Sequence, residues 1–138
     1  MNEATVEVEV PGLYAPKVQE QLVDFRTDAI RRLARIERGE DSGSAEDIEW
    51  EENTARLAVP LISQGVDQEG GQSVTYRGDA HLLSNALDFR MANVGDALSR
   101  ALGTAPVDYE GAKAMLDELV WFRGEAERVD AAYREGVA

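Results

Sequence analysis

A chain of 138 residues, 43% of them hydrophobic, is long enough for one domain with a real core, while a formal charge of −13 argues against affinity for nucleic acid or anionic membrane, both polyanions. The absence of cysteine excludes a disulfide framework, a thiolate metal site and a thiol nucleophile. No stretch approaches the roughly 20 apolar residues needed to cross a bilayer, and the opening MNEATVEVEV lacks the basic and apolar regions of a secretory signal, so a cytoplasmic protein is expected, or a virion protein if the source is viral.

Thr5 to Val10 alternates strictly between apolar and polar residues, the signature of a half-buried strand, and Pro11-Gly12 ends it. The period then changes. Tyr14, Val18, Leu22, Phe25, Ala29, Leu33 and Ile36 recur at three- and four-residue steps, which predicts a helix from about Ala15 to Arg38 with Gly39 as its stop. Residues 40–47 read as an exposed acidic loop. Ile48 to Glu51 alternates again and Ala55 to Val59 is short and apolar, so a β-hairpin turning at Glu52-Asn53-Thr54 is expected, with a short helix over 54–64 as the competing assignment. A second loop, rich in Gly and acid, covers 65–72, and Ser73 to Arg77 reads as the last strand.

Asp79 has the place of an N-cap for a helix running to Leu102, with Gly103 beyond its end. Its stripe is Leu83, Leu87, Met91, Val94, Leu98 and Ala101; Gly95 is where it would kink, since Gly costs about 1 kcal/mol there relative to Ala. Asp108 is the cap of a final helix, about Tyr109 to Glu135, whose seam Ala112, Met115, Leu119, Phe122, Ala126, Val129 and Tyr133 alternates steps of three and four. The short connection between these two helices predicts an antiparallel hairpin. The fold class is therefore α+β: a small, mostly antiparallel sheet packed by one N-terminal helix and a long C-terminal helical hairpin.

Residue patterns that carry chemistry are scarce. His81, the only histidine, forms an i, i+3, i+7 row with Ser84 and Asp88. Successive turns of one helix point side chains outward and do not converge on a reacting atom, so the row is expected to be an ordinary polar face. No phosphate loop, dinucleotide turn, zinc-protease helix or calcium loop occurs, and a non-enzymatic protein without cofactor or metal is expected. Arg31, Arg35 and Arg38 make a basic ridge on the first helix, but acids at its start and bases at its end also complement the helix dipole.

The acids carry a sharper possibility. Residues 40–72 hold −8 of the net charge. Glu7 and Glu9 share one strand face, and Glu49 and Glu51 share one face of the predicted hairpin, so a carboxylate-studded sheet would suit an acidic, virus- or plasmid-encoded inhibitor that mimics nucleic acid. Trp121 lies off the final seam among Asp117, Glu118, Glu125 and Arg128, where it is either covered by another element or an interface anchor. With only Lys17 and Lys113 against twelve arginines, the acid-rich composition resembles that of proteins from salt-in halophiles, archaeal or viral. The opening strand, glycine and helix are similar to those of viral tail-completion proteins, without that family's later motifs; the resemblance implies a virion-assembly role at the head–tail junction or tail. The leading expectation is a regulatory or structural protein acting on a protein partner, or on copies of itself, through the hairpin.

Overall fold

The computed structural model describes residues 4–137, with side chains through 135. Two antiparallel strands and four helices follow in the order β1 (Thr5–Pro11), α1 (Ala15–Glu37), α2 (Ala45–Asp67), β2 (Ser73–Asp79), α3 (Ala80–Gly103) and α4 (Tyr109–Val137). The α+β class, the N-terminal helix and the C-terminal helical hairpin are as the sequence predicts.

β1 pairs with β2 from Thr5↔Asp79 to Pro11↔Ser73. Alternation does what the pleat requires: Val6, Val8, Val10, Val74 and Tyr76 turn inward, and Glu7 and Glu9 turn to solvent. At the end of the ladder Gly12 N–H donates to Gln72 O at 2.7 Å. A Cβ on Gly12 would meet Gly71 O at 2.7 Å, so only glycine permits this approach.

The predicted hairpin over 48–59 does not form; those residues lie inside the 23-residue helix α2, and the sheet has two strands rather than four. Two features override the short alternation of Ile48 to Glu51. Ser44 and Asp47 form a capping box, with Asp47 N–H donating to Ser44 Oγ and Ser44 N–H to Asp47 Oδ2, both at 3.1 Å. Ala58, Leu61 and Gly65 then recur at helical spacing on one buried face. Pro60 sits on the opposite, exposed face, where the carbonyl it leaves unbonded can meet water. The acidic loops shorten accordingly, residues 45–47 and 65–67 being helical.

α2 also closes the outer edge of β2. Gln64 and Gln68 face that edge and act as peptide surrogates. Thr75 N–H donates to Gln68 Oε1 and Gln68 Nε2 to Thr75 O, both at 2.9 Å; Arg77 N–H donates to Gln64 Oε1 at 2.7 Å and Gln64 Nε2 to Arg77 O at 2.9 Å. The match is geometric. Four residues of helix rise about 6 Å and two residues of strand about 6.8 Å, so carboxamides one turn apart meet alternate strand residues. Behind this edge Tyr76, fully buried, donates its hydroxyl to Gln19 Oε1 at 2.7 Å, and Gln19 Nε2 donates to Ile62 O at 2.8 Å. Burial pushes the Tyr76 hydroxyl up to about 12.

The core gathers the inner sheet face with Val18 and Leu22 of α1, Ala58 and Leu61 of α2, Leu83, Ala86 and Leu87 of α3, and Phe122, Ala126 and Val129 of α4. Its contacts reach along α3 to Met91 and back along α4 to Trp121, and no farther. Beyond those points the two helices run on as an arm, with Val94 and Ala112 buried. Residues 92–103 make that arm roughly 18 Å long. α3 is continuous through Gly95, Asp79 Oδ2 accepts from Leu82 N–H at 2.9 Å as its cap, and Asp108 Oδ1 accepts from Gly111 N–H at 3.0 Å at the start of α4.

Candidate interaction surface on the helical hairpin

At 100° per residue, Tyr109, Lys113, Leu116 and Val120 fall on one line along α4, about a third of a turn from its buried seam. The apolar members are open to solvent: Tyr109 is 77% exposed, Leu116 48% and Val120 62%. The line continues as Arg123 and Glu127, paired at 3.3 Å, where α4 reaches the body of the domain. The outer face of α4 is thus apolar along the arm and charged over the core. Leu102, near the tip, and Phe89, whose ring meets that of Phe25 edge-on at 5.2 Å, are further exposed apolar groups on α3.

Trp121 is half-buried, its ring 5.5 Å from that of Tyr14 and 4.9 Å from that of Phe122, so another element covers part of it. Tyr14 is itself half-buried; partial burial, and then the charges of Glu118 and Asp117, raise its hydroxyl above the ordinary tyrosine value.

Glu118, expected at the surface, is 5% exposed. Lys17 Nζ donates to both its oxygens, at 2.8 and 2.9 Å, and Arg90 Nε to Oε1 at 3.3 Å, which ties α1, α3 and α4 together at the root of the arm. The sequence hides this because both partners are distant in the chain and lie on other helices. Glu125 pairs with Arg128 at 2.7 Å, and Arg128 Nη2 also donates to Glu7 O at 2.8 Å, docking α4 against β1.

The four glutamates predicted to share a sheet face do not. Glu7 and Glu9 are exposed on β1, but Glu49 and Glu51 are on α2, and Glu51 is held by Arg32 at 3.1 Å. The His81–Ser84–Asp88 row also separates. His81 packs against Trp50 and Tyr133, with ring centroids at 5.1 and 6.0 Å, whereas Ser84 donates to Asp130 across the hairpin. Asp88 lies near that same Asp130; burial first, then its repulsion, raise the Asp88 carboxyl above its usual value. On the basic ridge Arg35 pairs with Asp41 at 2.7 Å and Arg38 with Glu40 at 2.9 Å, while Arg31 meets no carboxylate among the described residues.

Tyr109, Leu116 and Val120 belong to none of the patterns that the sequence makes plain. A signal was present, since three apolar residues at i, i+7 and i+11 lie off the seam, but only the packing shows that no other described element covers that face. No helix is long and apolar enough to cross a membrane, and no group of three or more metal-binding side chains converges among the described residues. Comparison with protein-family models, with curated proteins and with solved structures finds no match to this chain.

Proposed function

We propose that this protein is a non-enzymatic interaction protein, regulatory or structural, that engages a protein partner or a second copy through its C-terminal hairpin. The observation that carries this reading is the apolar line Tyr109, Leu116 and Val120 on an arm that extends past the core. An apolar stripe without cover is a recurrent mark of helix-to-helix docking, read by the partner as anchors at helical spacing. Fully covering a Val or Leu side chain contributes about 1.5–3 kcal/mol. These two are half covered or less already, so the gain per residue falls toward the lower figure, and the ring of Tyr109 adds to it. Lys113 within the line gives a place for one carboxylate of the partner. A role in virion assembly would be one form of the same activity.

Placing a photoreactive benzoylphenylalanine at position 116 tests the site. The expected result is efficient cross-linking to a partner or second copy from position 116 and none from position 9. Cross-linking from position 9 alone would transfer the activity to the acidic sheet face and favour the nucleic-acid mimic instead.

A further inference from the structure

At the end of the hairpin away from the arm, and sharing no residue with the apolar line, the start of α3 and the end of α4 meet α1 and α2 around a cleft of about 820 Å³. That is within the range of about 300–1,000 Å³ typical of small-molecule sites. Its floor is apolar, built from Phe25, Ala29, Leu57 and Leu82. Along one wall run three rings, Trp50, His81 and Tyr133, and Trp50 is 53% exposed at the mouth.

The charges of the cleft are mostly committed. Asp79 caps α3, Glu51 is held by Arg32, and Arg35 is held by Asp41. Two charged side chains remain without an ion pair: Arg31, exposed on the rim, and Asp28, one turn before it. Arg32 and Arg35 are each at least a third exposed and keep further N–H donors beyond the one or two their carboxylates take. Donors on this rim thus come from three guanidinium groups, and the only uncommitted acceptor charge is one carboxylate.

We propose that this cleft binds a small planar aromatic anion, the ring lying against Trp50 and the negative group meeting Arg31. A mononucleotide and an aromatic carboxylate both have this chemistry. A long nucleic-acid strand does not fit, because α2 presents Glu46, exposed one turn before Trp50, and Glu51 in the lining of the same wall. Each further phosphate would face carboxylates within a Debye length of about 8 Å at physiological salt. Asn85, whose Nδ2 lies 3.3 Å from His81 Nε2, fixes the ring that separates Trp50 from Tyr133.

The test uses the full chain carrying Trp121→Phe, which leaves Trp50 as the only indole. Adenosine monophosphate, indole-3-acetate, adenosine and a ten-nucleotide adenine strand are titrated against Trp50 fluorescence where the probe permits and by calorimetry in every case. Saturable binding of the monophosphate, the carboxylate or both is expected, and which of them binds identifies the source of the anion. Adenosine should bind at least about tenfold more weakly than its monophosphate, the equivalent of losing one charge-assisted hydrogen bond. Arg31→Ala should produce the same loss and Arg31→Lys a smaller one, while Arg100→Ala on the distant arm leaves binding unchanged. Equal affinity for adenosine and the monophosphate, insensitivity to Arg31→Ala, a strand that binds more tightly per site than the monophosphate, or no saturation well above about 1 mM would each overturn the proposal.

Discussion

Glu118 stands between Lys17 of α1 and Arg90 of α3, and its near-complete burial makes it the most consequential single charge on α4. Removing one partner from a buried ion pair costs roughly 3–5 kcal/mol, because the remaining charges lose their compensation. Lys17 is 39% exposed and can turn to water, so Glu118→Ala is expected toward the low end of that range in urea unfolding. Asp88 works in the opposite sense. Its carboxyl is raised by burial and by Asp130, so at neutral pH its ionised form opposes folding. That penalty is full above its raised folded value and disappears as pH falls below the ordinary carboxylate value of about 3.8. Asp88→Asn should therefore raise the melting temperature at pH 7 and lose the advantage near pH 3. An equal gain at both values would show that charge is not the cause.

Among the elements, α2 gives the clearest test of how the fold is held. Its two glutamines complete the edge of β2 with four hydrogen bonds, each contributing about 0.5–1.5 kcal/mol net. Replacing Gln64 and Gln68 together by Ala should cost about 2–4 kcal/mol, below the sum because water can reach part of the opened edge. An open strand edge also invites pairing with other chains, so concentration-dependent aggregation should accompany the loss. α2 is also the element the sequence conceals. Its buried face is narrow and small, Ala58, Leu61 and Gly65, and Pro60 and the β-branched Thr54 and Val59 argue locally against a helix. Ser44 and Asp47 signal its start, but only the sheet edge and Gln19 show why it continues. β1 and β2 were legible from alternation and the glycines beyond them, α1 from its period and Gly39, and α3 and α4 from their periods and the caps Asp79 and Asp108. On α4 the seam residues Ala112, Phe122, Ala126 and Val129 are buried, Met115 and Leu119 only half-buried, while Tyr133 at its end proves exposed and joins the cleft instead. Glu118 could not be read, since its burial follows from Lys17 and Arg90 on other helices, while the Leu116–Val120 line shows in the sequence only as apolar residues off the seam.

For the whole molecule, charge and shape act together. Of the net charge of −13, −8 falls in residues 40–72, which are α2 and its flanking connections. Several surface pairs, among them Arg35–Asp41 and Arg38–Glu40, are exposed enough to contribute little. Salt weakens those pairs and also screens the much larger self-repulsion, so the melting temperature should climb from low salt to molar KCl. A flat or falling curve would show that the acids are already locally compensated. Against this background the arm is an apolar line on an acidic body, suited to the interaction proposed for it. The most direct measurement of that interaction is the affinity of Leu116→Asp/Val120→Asp for the partner, or for the second copy, that the unaltered chain binds. Both positions are exposed, so the melting temperature should stay within about 1–2 °C, the shift expected of small surface effects. The affinity should fall by a factor of about 30 or more, corresponding to the 2 kcal/mol threshold of an interface anchor. Unchanged affinity in a folded double variant would contradict the proposed interaction.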